Sequence, residues 1–318
     1  MRFALTLDDD GLSIGPPDGR LTLASGVPVT ASDVAGATTV YFTPDGGIII
    51  PVFDGTCISC RQFDEMRLAL DSDPGHAGYH QSGKNFDLFY AFASGNFYFG
   101  TGPAWSSDTA RGAGAGTTEI ECYLGMAVNK NSLTLRHGAA SGDTVTIPAR
   151  QGALLGSVRM TANGQTEDSV LKRFVSNLAR PMPRPMAVTD ATSTWTYSTA
   201  SFRQANGSAA NQVAWLHCLA GRPVKATAFS YVNNSTSTNR IMHTGVGIDS
   251  TSGSSAVIDF MAVADNVRSQ PATAVYNGFP GLGYHVAAWL EKGAGTDTQT
   301  WLGSFGSGQM GLVGETLS

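Results

Sequence analysis

Cys57 and Cys60 stand three residues apart, and His76 and His80 follow them in the order C-x2-C-x15-H-x3-H. Two thiolates and two imidazoles are the donor set of a tetrahedral zinc site. The flanks argue against that reading. They are rich in Gly and show neither the strand pair nor the helix of a finger, and a CxxC redox centre wants a βαβ context that is also missing. The expectation is therefore no metal. Cys57 and Cys60 remain a candidate disulfide or free thiol pair, the disulfide only if the protein works outside a reducing compartment. Cys122 and Cys218 are single.

Nucleophilic and phosphate chemistry fare no better. The GxSxG elbow is absent, and Gly303-Ser304-Phe305-Gly306-Ser307-Gly308 lacks its pattern. Residues 112–116 (GAGAG) have no Lys behind them and read as a loop, not a P-loop. The pairs Asp64/Glu65, Glu119/Glu121 and Glu167/Asp168 read as solvated acids or a helix cap. Asp71-Ser72-Asp73 has no calcium loop after it. No catalytic residue and no cofactor is expected. Aromatic side chains are the better binding candidates, because rings stack on sugars. Trp195, Trp215 and Trp289 lie in alternating segments and are expected in the core. Tyr276 and Trp301 flank Gly-rich turns and are the expected exposed binding residues.

Composition narrows the class. Gly, Ser and Thr are 98 of 318 residues, and only 14% of residues are charged, against a usual ~25%. A formal charge of -5 excludes a general nucleic-acid binder. No apolar run approaches the ~18 residues of a membrane helix. The first ten residues (MRFALTLDDD) end in three acids and do not read as a signal peptide.

The elements that would position these side chains are mostly short strands. Alternation marks residues 20–23, 38–42, 47–53, 85–93, 97–100, 132–136, 143–148 and 153–161, and then 193–199, 212–219, 224–233, 244–249, 256–264, 282–292 and 299–303. One helix is predicted over 166–178, with Thr166 as N-cap and Val170, Phe174, Val175 and Leu178 on one face. A weaker helix is predicted over 60–70. Pro181, Pro183 and Pro185 stiffen a connector after 178. The predicted fold class is mainly β: two β-sandwich or jelly-roll-like domains joined by one short helix and the proline-rich connector. The expected division is 1–19 as an N-terminal attachment segment, 20–180 as a β domain ending in the helix, and 181–318 as a β-sandwich.

Several blocks carry a resemblance. Residues 20–44 (RLTLASGVPVTASDVAGATTVYFTP), 100–111 (GTGPAWSSDTAR), 164–184 (GQTEDSVLKRFVSNLARPMPR), 195–212 (WTYSTASFRQANGSAANQ) and 278–284 (GFPGLGY) are similar to a family of tailed-bacteriophage virion proteins of the tail fibre or spike type. TEDSVLKRF with the prolines after it is the most specific block. The first 19 residues fall outside the resemblance, and Cys57 and Cys60 do not belong to its pattern.

The resemblance implies a non-enzymatic, β-rich structural component of the virion, a fibre or spike on tail or head that contacts the host surface. Its implied partners are further copies of itself, as a trimer, other virion proteins and host cell-surface polysaccharide. Such a chain would be made in the host cytoplasm without a signal peptide. Low charge agrees with it, since charged residues are depleted where chains pack together. The alternatives are a capsid decoration or collar protein without a receptor role, and a polysaccharide-degrading tailspike enzyme.

Overall fold

The computed structural model describes residues 15–318 apart from Ser94 and Ser307. It is mainly β, as the alternation predicts. Among the described residues the helical content is one 3-10 turn, Ala205–Gly207. No helix there is long and apolar enough to cross a membrane.

One large sheet runs through the molecule. In its first half Leu133–Arg136, Asn96–Ala104, Asn85–Ala93 and Gly152–Ala162 lie side by side. Asn85–Ala93 (NFDLFYAFA) is buried on both faces, which is why it reads as an almost continuous apolar run. Phe86, Leu88 and Tyr90 join Leu21, Val40, Phe42, Ile50 and Leu68 in one core. Phe89, Ala91 and Ala93 join Leu133, Leu135 and Ile147 in another. A three-stranded sheet, Gly19–Thr22, Thr39–Pro44 and Met66–Ala69, covers the first of these cores.

In the second half the large sheet continues as Gln212–His217, Gly283–Lys292 and Arg240–Ile248. It packs on a seven-stranded sheet whose main path is Pro183–Thr189, Gly311–Leu317, Val224–Asn234, Gln270–Gly278 and Ile258–Phe260. Val224–Asn234 (VKATAFSYVNN) alternates strictly, with every even-numbered side chain buried. The layers fit because small meets large. Ala226, Ala228, Ala272 and Ala274 pack in one core with Trp215, Trp289 and Trp301.

The helix predicted over 166–178 is not formed. The segment folds as Gln165–Asp168, Lys172–Arg173 and Val175–Asn177. The reason lies in the charges. Glu167 pairs with Lys172 at 3.0 Å and Asp168 with Arg173 at 3.0 Å. Five residues of helix would turn such partners about 140° apart, whereas a hairpin sets Asp168 directly across from Arg173. Thr166 is not a cap; its Oγ1 donates to the Arg159 carbonyl at 2.7 Å. The weaker helix over 60–70 is absent as well. Met66–Ala69 is a strand, and Leu68 and Leu70 are buried at period two.

The two halves have separate apolar cores, Leu21 to Val175 and Met186 to Leu312. They are not joined by a helix and a free connector. Lys172–Arg173 pairs in parallel with Gln212–His217, so one sheet crosses the seam. The proline segment is itself a strand, Pro183–Thr189, at the sheet edge. Of the expected attachment segment 1–19, residues 1–14 lie outside the described residues. Asp18 belongs to the folded body and binds Arg180 at 2.9 Å.

Candidate functional site

Trp301, expected at the surface, is fully buried in the second core. Its Nε1 donates to the Tyr197 carbonyl at 2.9 Å. The neighbouring Gly-rich stretch misled the expectation. Trp301 lies in Gln299–Leu302, which is sandwiched between Thr194–Thr196 and Val224–Asn234, and it faces inward.

Tyr276 is half-buried and packs against the same core. Burial, and then the charge of Asp249, pushes its phenol above the ordinary range. Asp249 sits at φ 52° in the turn after Arg240–Ile248. One oxygen accepts the Val286 amide at 2.9 Å, and the other accepts from His285 Nδ1 at 2.7 Å. Burial opposes ionisation of Asp249, but these hydrogen bonds outweigh it and hold the carboxyl below the usual range.

His285 is buried, and among the described residues its Nε2 has no hydrogen-bond partner. Its cross-strand neighbour Trp215 has an unpartnered Nε1 as well, and the two rings are 5.9 Å apart. His217 stands beside them with its ring 6.3 Å from His285. A carbonyl can only accept, so His217 Nδ1 donates to Gly281 at 3.3 Å and Nε2 accepts from the Thr316 hydroxyl at 2.8 Å. Burial, then the nearby Arg222, lowers the His217 pKa to about 3. The loop at Asp108 closes against this end of the strand because Gly283, at φ 110°, has no β-carbon to overlap the Asp108 carbonyl.

An Asp–His pair of this kind can hold a proton. To act as the general base of a hydrolase it needs a hydroxyl or thiol within hydrogen-bond reach, and His285 Nε2 has none among the described residues.

The second candidate is Glu291, fully buried in Gly283–Lys292. Burial raises its pKa to about 7, against the opposing effects of Trp195 and Arg203. Oε2 accepts from Trp195 Nε1 at 2.5 Å. Oε1 accepts from Arg203 Nε at 2.8 Å and from the Asn206 amide at 3.1 Å. Asn206, at φ 56°, also reaches Asp190 at 3.1 Å, and Asn211 holds the same Asp190 oxygen at 2.7 Å. A raised glutamate near a second acid and aromatic rings has the composition of a glycosidase site. Its access differs, because both Glu291 oxygens already face protein donors and the residue has no exposed surface.

The sequence-picked cysteines are not brought together. Cys57 ends the turn that Asp54 caps, and Cys60 lies across from Pro51 in the strand Ile58–Gln62. Three extended residues span about 10 Å, beyond the ~7 Å Cα limit of a disulfide. Both thiols are free and exposed, as is Cys122, while Cys218 is buried. His76 and His80 belong to another cluster. Asp71 accepts from His76 at 3.0 Å and pairs with the buried Arg136 at 2.9 Å. His80 Nδ1 accepts the Asp71 amide at 2.8 Å, and Nε2 meets Thr101 at 2.9 Å. Among the described residues no group of three or more His, Cys, Asp and Glu is placed to hold a metal. An apolar cavity of about 400 Å³ lies between Pro16, Pro17, Tyr90, Met126, Leu154 and Leu178, and among the described residues no charged one lines it.

Asp249, His285, His217 and Glu291 were not legible as a site beforehand. Asp249 and His285 are 36 residues apart, and only strand register brings them together.

No protein-family model and no curated protein matches this chain. Among solved structures, one of infectious bursal disease virus (Gx strain) overlaps 95% of this chain and 78% of its own at 10% identity and a TM-score of 0.21. The tryptic core of a Bacillus thuringiensis Cry1Da variant overlaps 97% of this chain and 53% of its own, at 9% identity and a TM-score of 0.19. At these scores neither defines a shared fold.

Proposed function

We propose that this chain is a non-catalytic structural protein of a tailed-phage particle, a fibre or spike component on tail or head. It works as a homo-oligomer, three-fold by the resemblance, beside other virion proteins in the assembled particle. Its C-terminal half is the part that contacts the host surface and its polysaccharide.

One observation supports this reading above the others. The polar residues of the phage-like blocks bind one another, and the pocket that Arg20, Thr30, Asp168 and Arg184 line holds only about 10 Å³. From TEDSVLKRF and the prolines after it, Asp168 holds both Arg173 and Arg184. From GTGPAWSSDTAR, Arg111 crosses the seam, binding Asp87 at 2.6 Å and the Cys218 carbonyl at 2.8 Å. From WTYSTASFRQANGSAANQ, Trp195, Arg203 and Asn206 enclose Glu291. Residues that recur as structural ties suit a scaffold, whereas a depolymerase needs an open pair of carboxylates.

The test is position. Gold-labelled antibody against this chain on intact particles, with mass spectrometry of the purified particles, should place it at tail or head in fixed copy number. Its absence from purified particles would sink the proposal. Labelling confined to the capsid shell or collar would instead favour a decoration protein.

A further inference from the structure

The outer face of the seven-stranded sheet presents two largely apolar rows, partly or fully exposed. Strand register lines its side chains into rows. Ala187, Val313, Thr227, Val275 and Ile258 form one row across five strands. Phe229, Thr273 and Phe260 form the next. Ile258 is 62% exposed, Phe260 64%, Val313 47% and Phe229 42%. Monomeric proteins rarely leave so continuous an apolar surface to water.

Ile258–Phe260 is also the edge of its sheet. At three residues it is a short edge, and a short strand with an inward-turned charge resists pairing through its backbone, which leaves the face as the surface open to a partner. Its one charged residue, Asp259, points inward to His243 at 2.6 Å.

We infer that this face is where a second copy of the chain docks, with Phe229, Val313, Ile258 and Phe260 at its centre. The inference rests on the proposed role as an oligomeric virion component and names the surface that role would use. Two features favour another copy over a different partner. The flanking row carries Glu315 directly across from Lys225, both exposed, so it offers charges of both signs to the same row of a second copy. Five strands about 4.8 Å apart and three outward rows about 6.8 Å apart cover roughly 500 Å² in projection. Side-chain relief brings this near the ~600 Å² per partner of the smaller specific dimers.

The experiment is light scattering on the full chain at micromolar concentration. Phe229→Asp and Val313→Asp are the test variants, and Ala139→Asp on an exposed loop of the first half is the control. Outward positions leave the core intact, which circular dichroism checks. The expected result is a wild-type mass of more than one chain, kept by Ala139→Asp and reduced to one chain by the face variants. A wild type of one chain overturns the inference, as does a folded Phe229→Asp that keeps the wild-type mass. The virion role is read separately from particle content. A chain present in particles yet monomeric in solution would remove the interface and leave that role standing.

Discussion

Asp168 and Arg184 meet at 3.0 Å across the seam between the two halves, and the other oxygen of the same carboxylate takes Arg173 at 3.0 Å. Both arginines are buried. Each has further acceptors, the Pro185 carbonyl for Arg173 and Thr30 for Arg184, but among the described residues no other acid stands within salt-bridge distance of either. Removing one partner of a buried ion pair leaves an uncompensated charge and costs about 3–5 kcal/mol. Asp168→Ala should lower unfolding free energy by about that amount in urea titration. A loss under about 1 kcal/mol would show that solvent already screens the pair.

Glu291 gives the protein a pH dependence of known sign. Its folded pKa, about 7, lies above the ordinary 4.5, so the native state binds the proton more tightly than the unfolded chain. That contribution is complete below pH 4.5 and is lost as pH rises through about 7. Glu291→Gln should flatten this limb of Tm against pH. The variant will also be less stable throughout, because an amide nitrogen would face one of the three donors. An unchanged slope would refute the assignment.

His80 and His217 contribute to the acid limb, with pKa values lowered to about 4 and about 3. Burial is the main cause in both, followed by Arg136 for His80 and Arg222 for His217. Depressed folded values mean stability that is present above pH 6.5 and lost as pH falls through 4 and then 3. His217→Gln should lessen the loss of Tm below pH 6. Carbon-detected NMR of the two rings should find them neutral at pH 5; a charged ring there would contradict this.

Trp301 separates packing from recognition. As a core residue, Trp301→Ala should cost about 3–5 kcal/mol in chemical denaturation. As a sugar platform it would cost little stability and abolish binding to host polysaccharide. Full stability of the alanine variant would reverse the present placement.

Thiol titration should count three reactive cysteines in the native protein, Cys57, Cys60 and Cys122, with Cys218 joining only on unfolding. Peptide mapping should recover Cys57 and Cys60 unlinked under non-reducing conditions. A native Cys57–Cys60 disulfide would require the strand Ile58–Gln62 to be broken.

The fold was legible where alternation was strict. In Val224–Asn234 every second side chain is buried, and the sequence shows it. It was misread where charge pairing overrode apolar spacing. Val170, Phe174, Val175 and Leu178 mimic a helical stripe, but Glu167–Lys172 and Asp168–Arg173 choose the hairpin. Trp301 was misplaced for a related reason, since nearby glycines say nothing about which sheet covers a strand. The Asp249–His285 pair had no local signal. It exists because one turn and one strand 36 residues later share a sheet, and single-sequence periodicity carries no register.

The strand Pro183–Thr189 closes one margin of the seven-stranded sheet. The Ala187 amide on its outer margin already donates to Val170, the Pro185 carbonyl is taken by Arg173, and Pro183 and Pro185 have no N–H to offer. The opposite margin is cut to three residues, Ile258–Phe260, with Asp259 turned inward. Both margins thus resist strand-on-strand growth, and copies that meet at this sheet are directed to its face, where side chains set the count and a filament of paired edges does not start.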